Sequence, residues 1–130
     1  MKIKILAIIT FLLTASSIHA QAAADKWPAL KEFHAVISQT FHPAEEGNLA
    51  PLKARAEELA IKGTALLKSD IPAEYRTNAI LISAQNLQIQ AKALYKLVAT
   101  NAPDAEIMKS VTIVHNTFHE IAGLCSEEKQ

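Results

Sequence analysis

The sequence predicts an all-α protein that folds as an up-down-up-down antiparallel four-helix bundle. Four segments carry apolar residues at helical spacing, and none shows the strict alternation typical of strands. Only 3 glycines occur in the 130 residues, so helix-favouring residues run on with few interruptions. Short polar links rich in proline separate the segments, and short links place successive helices antiparallel.

The first helix is predicted from Pro28 to about Phe41. Proline suits a first helical position, and Pro43 biases the preceding His42 away from helix. The apolar stripe is formed by Leu30, Phe33, Ile37 and Phe41. His34 falls on the same stripe, which is unusual for a histidine.

The second and third helices follow two further breaks in the pattern. Residues 42–48 read as a turn in which Gly47 and Asn48 supply positive φ. The second helix is predicted from Leu49 or Pro51 to Lys68, and the third from about Pro72 to Ala99, with Ser69 or Asp70 as its N-cap. The expected core residues are Leu52, Leu59 and Leu66, then Ile80, Leu87, Leu94 and Val98.

The fourth helix is predicted from the break at residues 101–104 to about Ser126. Its apolar residues alternate at spacings of four and three: Ile107, Val111, Val114, Phe118, Ile121 and Cys125. This heptad-like seam predicts near-parallel or antiparallel packing against neighbouring helices.

The N-terminal residues 1–20 have the pattern of a cleaved secretory signal. Lys2 and Lys4 precede a short apolar run, and small residues then allow cleavage after Ala20 or as late as residue 22. We therefore expect a secreted, periplasmic protein whose residues 23–130 form a single domain, with no stable membrane insertion after cleavage.

Composition narrows the classes of function. Without Lys2 and Lys4 the formal net charge is −2, and no basic stripe favours nucleic acid. Cys125 is the sole cysteine, so no intramolecular disulfide can form. No nucleophile or general base accompanies the histidines, so an enzyme is not predicted. We expect a monomer or a weak dimer.

The four histidines beyond the signal lie only in the first and last helical segments. They are His34, His42, His115 and His119. His115 and His119 are four residues apart, so their rings share one helix face and form half of a transition-metal site. The first and last helices of this bundle are neighbours, which predicts that the two pairs converge.

Counting helix lengths places His34 opposite residues 116–119 and His42 opposite residues 108–111. The predicted ligands are therefore His34, His115 and His119. His42 is expected either to join them through the turn or to form a second site with Glu45 or Glu46. Neutral imidazoles suit Zn²⁺, Cu²⁺ or Ni²⁺, of which zinc and copper are the leading expectations.

The predicted architecture resembles the periplasmic cytochromes c-prime and their b-type relatives. The resemblance rests on the secretory signal, the four helices and a histidine on the last helix. Cytochromes c-prime attach haem through Cys-x-x-Cys-His, whereas residues 115–119 read His-Asn-Thr-Phe-His. Covalent haem is thereby excluded, and the resemblance implies at most a non-covalent haem.

Three functions are consistent with the sequence. The leading interpretation is a periplasmic bundle that binds a transition metal between helices one and four. The alternative is a non-metal interaction or chaperone-like bundle with a periplasmic protein partner. A non-covalent haem-binding electron carrier is the third.

Overall fold

The computed structural model describes residues 25–127 and confirms the antiparallel four-helix bundle. The helices are α1 (Pro28–Glu45), α2 (Ala50–Lys68), α3 (Asn78–Ala99) and α4 (Asp104–Glu127), and a short 3₁₀ helix (Ala73–Tyr75) precedes α3. No strand occurs within residues 25–127. Each helix packs against the next, and α4 returns to α1. The predicted sites on α1 and α4 are therefore neighbours.

The predicted apolar stripes form the core. Leu30, Phe33 and Ile37 of α1 are fully buried, and every predicted seam residue of α4 is buried too. Of the core residues expected on α2 and α3, only Val98 is partly exposed. Trp27 was not among the predicted core residues, yet it is fully buried and donates its indole N–H to Ser69 Oγ at 2.9 Å.

The first helix is longer than predicted because it continues through Pro43 to Glu45. Pro43 stands in the last turn, where its missing N–H removes a single helical hydrogen bond. The turn then closes with Gly47 at φ 93°, and the amides of Gly47 and Asn48 donate to the carbonyls of Ala44 and Pro43 at 3.0 and 2.9 Å. This Schellman arrangement satisfies carbonyls at the helix end. His42 and Glu45 consequently lie on a regular helix.

The start of the third helix was predicted wrongly. Ser69 does not cap it, because the chain first forms the 3₁₀ turn, and α3 begins six residues after Pro72, at Asn78. Thr77 is the N-cap, with extended backbone and a side-chain oxygen that accepts from the Ile80 amide at 3.3 Å. The segment that links α2 to α3 contributes Ile71 and Tyr75 to the core, which explains why α3 begins later than predicted.

Replacing Thr77 with alanine is expected to lower the free energy of unfolding by about 1 kcal/mol, since one amide at the start of α3 loses its acceptor. Urea denaturation followed by circular dichroism measures the change. Thr77→Ser keeps the acceptor and should stay close to wild type. An equal loss in both variants would show that the hydroxyl does not cap the helix.

Two further expectations concern the signal peptide and membrane insertion. The predicted signal peptide over residues 1–20 lies outside the described residues. Among residues 25–127, no helix combines the length and apolar character required to cross a membrane.

Candidate metal centre

The seam between α1 and α4 is lined by stacked aromatic rings. These two helices pack less extensively than the other adjacent pairs. Phe33 and Phe118 stack with ring centroids 6.0 Å apart, and Phe41 stacks on His115 at 3.8 Å. The rings line the seam, where Phe41 on α1 supports His115 and Phe118 on α4 supports His34.

His115 and His119 form a close pair on α4. Their spacing of one helical turn brings the two Nε2 atoms to 3.0 Å. The stack on Phe41 holds the His115 ring, while the His119 ring stands edge-on to Phe118 at a centroid distance of 5.6 Å. The two Nε2 atoms therefore face each other across one turn of the helix.

The separation of 3.0 Å suits two kinds of interaction. In complementary tautomers, one Nε2–H donates to the lone pair of the other ring. Alternatively, two nitrogens bound to one ion at about 2.0–2.1 Å lie about 2.9 Å apart at a right angle and about 3.3 Å apart at a tetrahedral angle. The distance between the two nitrogens is thus compatible with shared coordination once the donor ring changes tautomer, so that its proton moves from Nε2 to Nδ1 and both Nε2 atoms offer a lone pair.

His34 is near this pair and is held by packing. It is partly buried, and its ring stacks on Phe118 with centroids 4.9 Å apart and an interplanar angle of 13°. The contact with Phe118 agrees with the predicted level of His34 opposite residues 116–119. The ring lies beside the seam, not within the fully buried stripe of α1.

His42 lies closer to the pair than the sequence predicted. Its ring meets His115 edge-on at a centroid distance of 6.4 Å, whereas counting residues placed it opposite residues 108–111. The His42 side chain is 66% exposed, and its Nδ1 is 3.5 Å from Glu45 Oε2. His42 therefore belongs to the same cluster as His115, with a carboxylate beside it.

The surroundings favour neutral imidazoles. Burial, followed by the nearby His119, lowers the pKa of His115 to about 4. Burial also lowers the pKa of His34, and the neighbouring His119 and His42 add to that effect. His119 is exposed as a residue, but its ring rests against Phe118 and His115, and this local loss of hydration lowers its pKa.

Because the pKa of His115 is lowered, the stability of the folded protein should depend on pH. Between its ordinary value of 6.5 and its folded value of about 4, the unfolded chain binds a proton that the folded protein does not. Stability should therefore fall as the pH drops through this window. Proton NMR of the metal-free protein should show the His115 ring neutral at pH 5. A titration midpoint near 6.5 would contradict the burial of this ring.

Glu46, which was predicted for a second site with His42, lies outside the pair, as do the potential donors Cys125 and Glu120. Glu46 is the exposed C-cap of α1, and Cys125 is buried in the core. Glu120 accepts a 2.7 Å hydrogen bond from Ser83 Oγ on α3, so it faces away from the histidines. Within residues 25–127, no three His, Cys, Asp or Glu side chains already stand in a metal-binding arrangement.

The aromatic supports are the part of the site that sequence reasoning missed. Phe41 and Phe118 were identified only as core residues, although each also stacks on a histidine. Sequence adjacency did not indicate these contacts, because Phe41 precedes His42 but stacks on His115, and Phe118 precedes His119 but stacks on His34. Comparison with protein-family models, curated proteins and solved structures found no match to this chain.

Proposed function

We propose that this protein is a secreted, periplasmic four-helix bundle that binds a transition-metal ion through His115 and His119. The 3.0 Å separation of their Nε2 atoms carries the proposal. Each ring nitrogen must be neutral to donate its lone pair, and the lowered pKa values of both histidines favour that form at neutral pH. The secretory pattern of residues 1–20 supports the location.

His42 supplies the third nitrogen in this proposal. Its side chain is exposed, and its ring already contacts that of His115. Glu45 stands beside Nδ1, where a carboxylate orients a metal-binding imidazole and leaves Nε2 to the ion. His34 is stacked on Phe118 and would have to leave that support to coordinate. The ring contacts therefore favour His42 over His34, the reverse of the order obtained by counting residues.

The donor set indicates the class of metal. Imidazoles suit Zn²⁺, Cu²⁺ and Ni²⁺, while Ca²⁺ and Mg²⁺ require oxygen ligands. The Nε2 separation of 3.0 Å lies between the values for right-angled and tetrahedral coordination, so both Cu²⁺ and Zn²⁺ fit with a shift of a few tenths of an ångström. We propose a role in binding the ion and no catalytic role.

The direct test is metal binding by the purified protein at pH 7.5. Isothermal titration with Zn²⁺ and with Cu²⁺, followed by gel filtration and metal analysis, should give one ion per chain. Mg²⁺ serves as the control and should not bind. Addition of haem to the same sample should leave the Soret band as it is for free haem, without the shift that axial ligation by an imidazole produces.

Each negative result has a defined meaning. Absence of binding by Zn²⁺, Cu²⁺ and Ni²⁺ at pH 7.5 would contradict the proposal and leave the interaction bundle as the better interpretation. A Soret band that shifts in His115→Ala would instead favour the haem carrier.

A further inference from the structure

A second candidate site lies on the side of the bundle opposite the histidines. A groove of about 480 Å³ runs between α2 and α3, and its walls include Ile61 and Tyr95. Ile61 is 60% exposed and Tyr95 is 37% exposed. The α2 side also contributes Ala60, Thr64 and Ala65, whose small side chains allow another helix to approach closely. The groove thus presents apolar side chains around a shallow floor.

Opposite charges stand at the two ends of the α2 wall. Glu57 and Lys68 are eleven residues apart, which is about 16 Å along a helix. Within residues 25–127, no ion pair involves Glu57, Lys68 or the groove residue Lys92. Other charges on α2 do find partners, since Arg55 pairs with Glu58 and Lys62 with Glu32. The charges at the groove are therefore available to a partner.

The two charges on the α2 wall complement each other under a two-fold rotation, whereas the third groove charge, Lys92 on α3, has no acidic counterpart in the groove. A two-fold axis that crosses α2 between Ile61 and Thr64 would set α2 antiparallel to its copy. Glu57 would then face Lys68 of the partner subunit, and the symmetric pair would form at the other end. Ile61 and Tyr95 would be covered by the second copy. A surface that matches its own rotated image is what a symmetric dimer requires.

We propose that the groove between α2 and α3 is the interface of a two-fold symmetric homodimer. A stable interface buries about 800 Å² on each partner, and surface ion pairs add little. A shallow groove with two large apolar side chains therefore gives a weak dimer that forms as concentration rises. The interface is remote from the α1–α4 seam, so it is independent of the metal proposal.

Charge reversal tests the interface and its symmetry together. The protein is expressed from its full chain, purified, and studied by sedimentation equilibrium in the presence of a chelator, with folding checked by circular dichroism. Glu57→Lys and Lys68→Glu should each raise the dimer dissociation constant about ten-fold, because both pairs become repulsive. The double variant Glu57→Lys/Lys68→Glu should return to within about three-fold of wild type, since its pairs are restored in reverse.

A matched pair of isoleucines tests the apolar part. Ile61→Asp should abolish dimerisation, whereas Ile82→Asp should not, although Ile82 is 58% exposed and lies on α3 outside the groove. A wild-type protein that stays monomeric at millimolar concentration would overturn the proposal. So would a double charge variant that dimerises no better than the single variants, a result that would favour a different protein as the occupant.

Discussion

Replacing His115 or His119 with alanine is expected to lower the affinity for Zn²⁺ and Cu²⁺ by at least about 100-fold. Loss of an outer partner of a ligand costs 10–100-fold, and loss of the ligand itself should cost more. Each substitution removes one of two nitrogens that are 3.0 Å apart, so one imidazole of the pair would remain with only His42 beside it. Competition titration against a chelator of known affinity measures the change.

Two control variants separate coordination from packing. His115→Phe has no nitrogen but keeps a ring to stack on Phe41, so it should fold like wild type and bind as poorly as His115→Ala. Asn116→Ala changes an exposed neighbour and should bind normally. His42→Ala should weaken binding more than His34→Ala. Full affinity in His115→Phe would show that the pair serves only the structure.

Metal should raise the melting temperature strongly at pH 7.5. A ligand that binds only the folded state adds about 2.7 kcal/mol at 100 times its dissociation constant. For a domain of this size the gain corresponds to a rise of about 10–20 °C. Differential scanning fluorimetry with Zn²⁺, against Mg²⁺ as the control, measures the shift.

The same shift should disappear as the solution becomes acidic. Protons compete with the metal for the ring nitrogens, and the pKa of His115 is lowered to about 4. The shift should therefore decline as the pH approaches 4 and be lost below that value. An undiminished shift in His115→Ala/His119→Ala would place the ion elsewhere, and loss of the shift in Cys125→Ser would point to a thiolate site.

The bundle could be predicted because its apolar pattern repeats without a break. The seam from Ile107 to Cys125 needs only helical periodicity to be recognised, and all of it is buried. The ends of the helices were harder to predict because they depend on tertiary contacts. Burial of Tyr75 in the core shifts the start of α3 to Asn78, and the capping turn at Gly47 lets α1 continue past Pro43.

The part of the candidate site that lies on a single helix could be predicted. The spacing of His115 and His119 is enough to place their rings together, and their Nε2 atoms do approach to 3.0 Å. The position of His42 depends on how α1 and α4 slide past each other, which loop lengths define only to about one turn. The stacking of Phe41 on His115 lies beyond sequence reasoning for the same reason.

The most direct test of the central claim is a crystal structure of the protein grown with Zn²⁺, recorded at the zinc absorption edge. We expect one anomalous peak on the α1–α4 seam, about 2.0–2.1 Å from the Nε2 atoms of both His115 and His119. The His42 ring should turn toward the same ion. A peak at any other place, or an empty seam with the two Nε2 atoms still joined by a hydrogen bond, would contradict the claim.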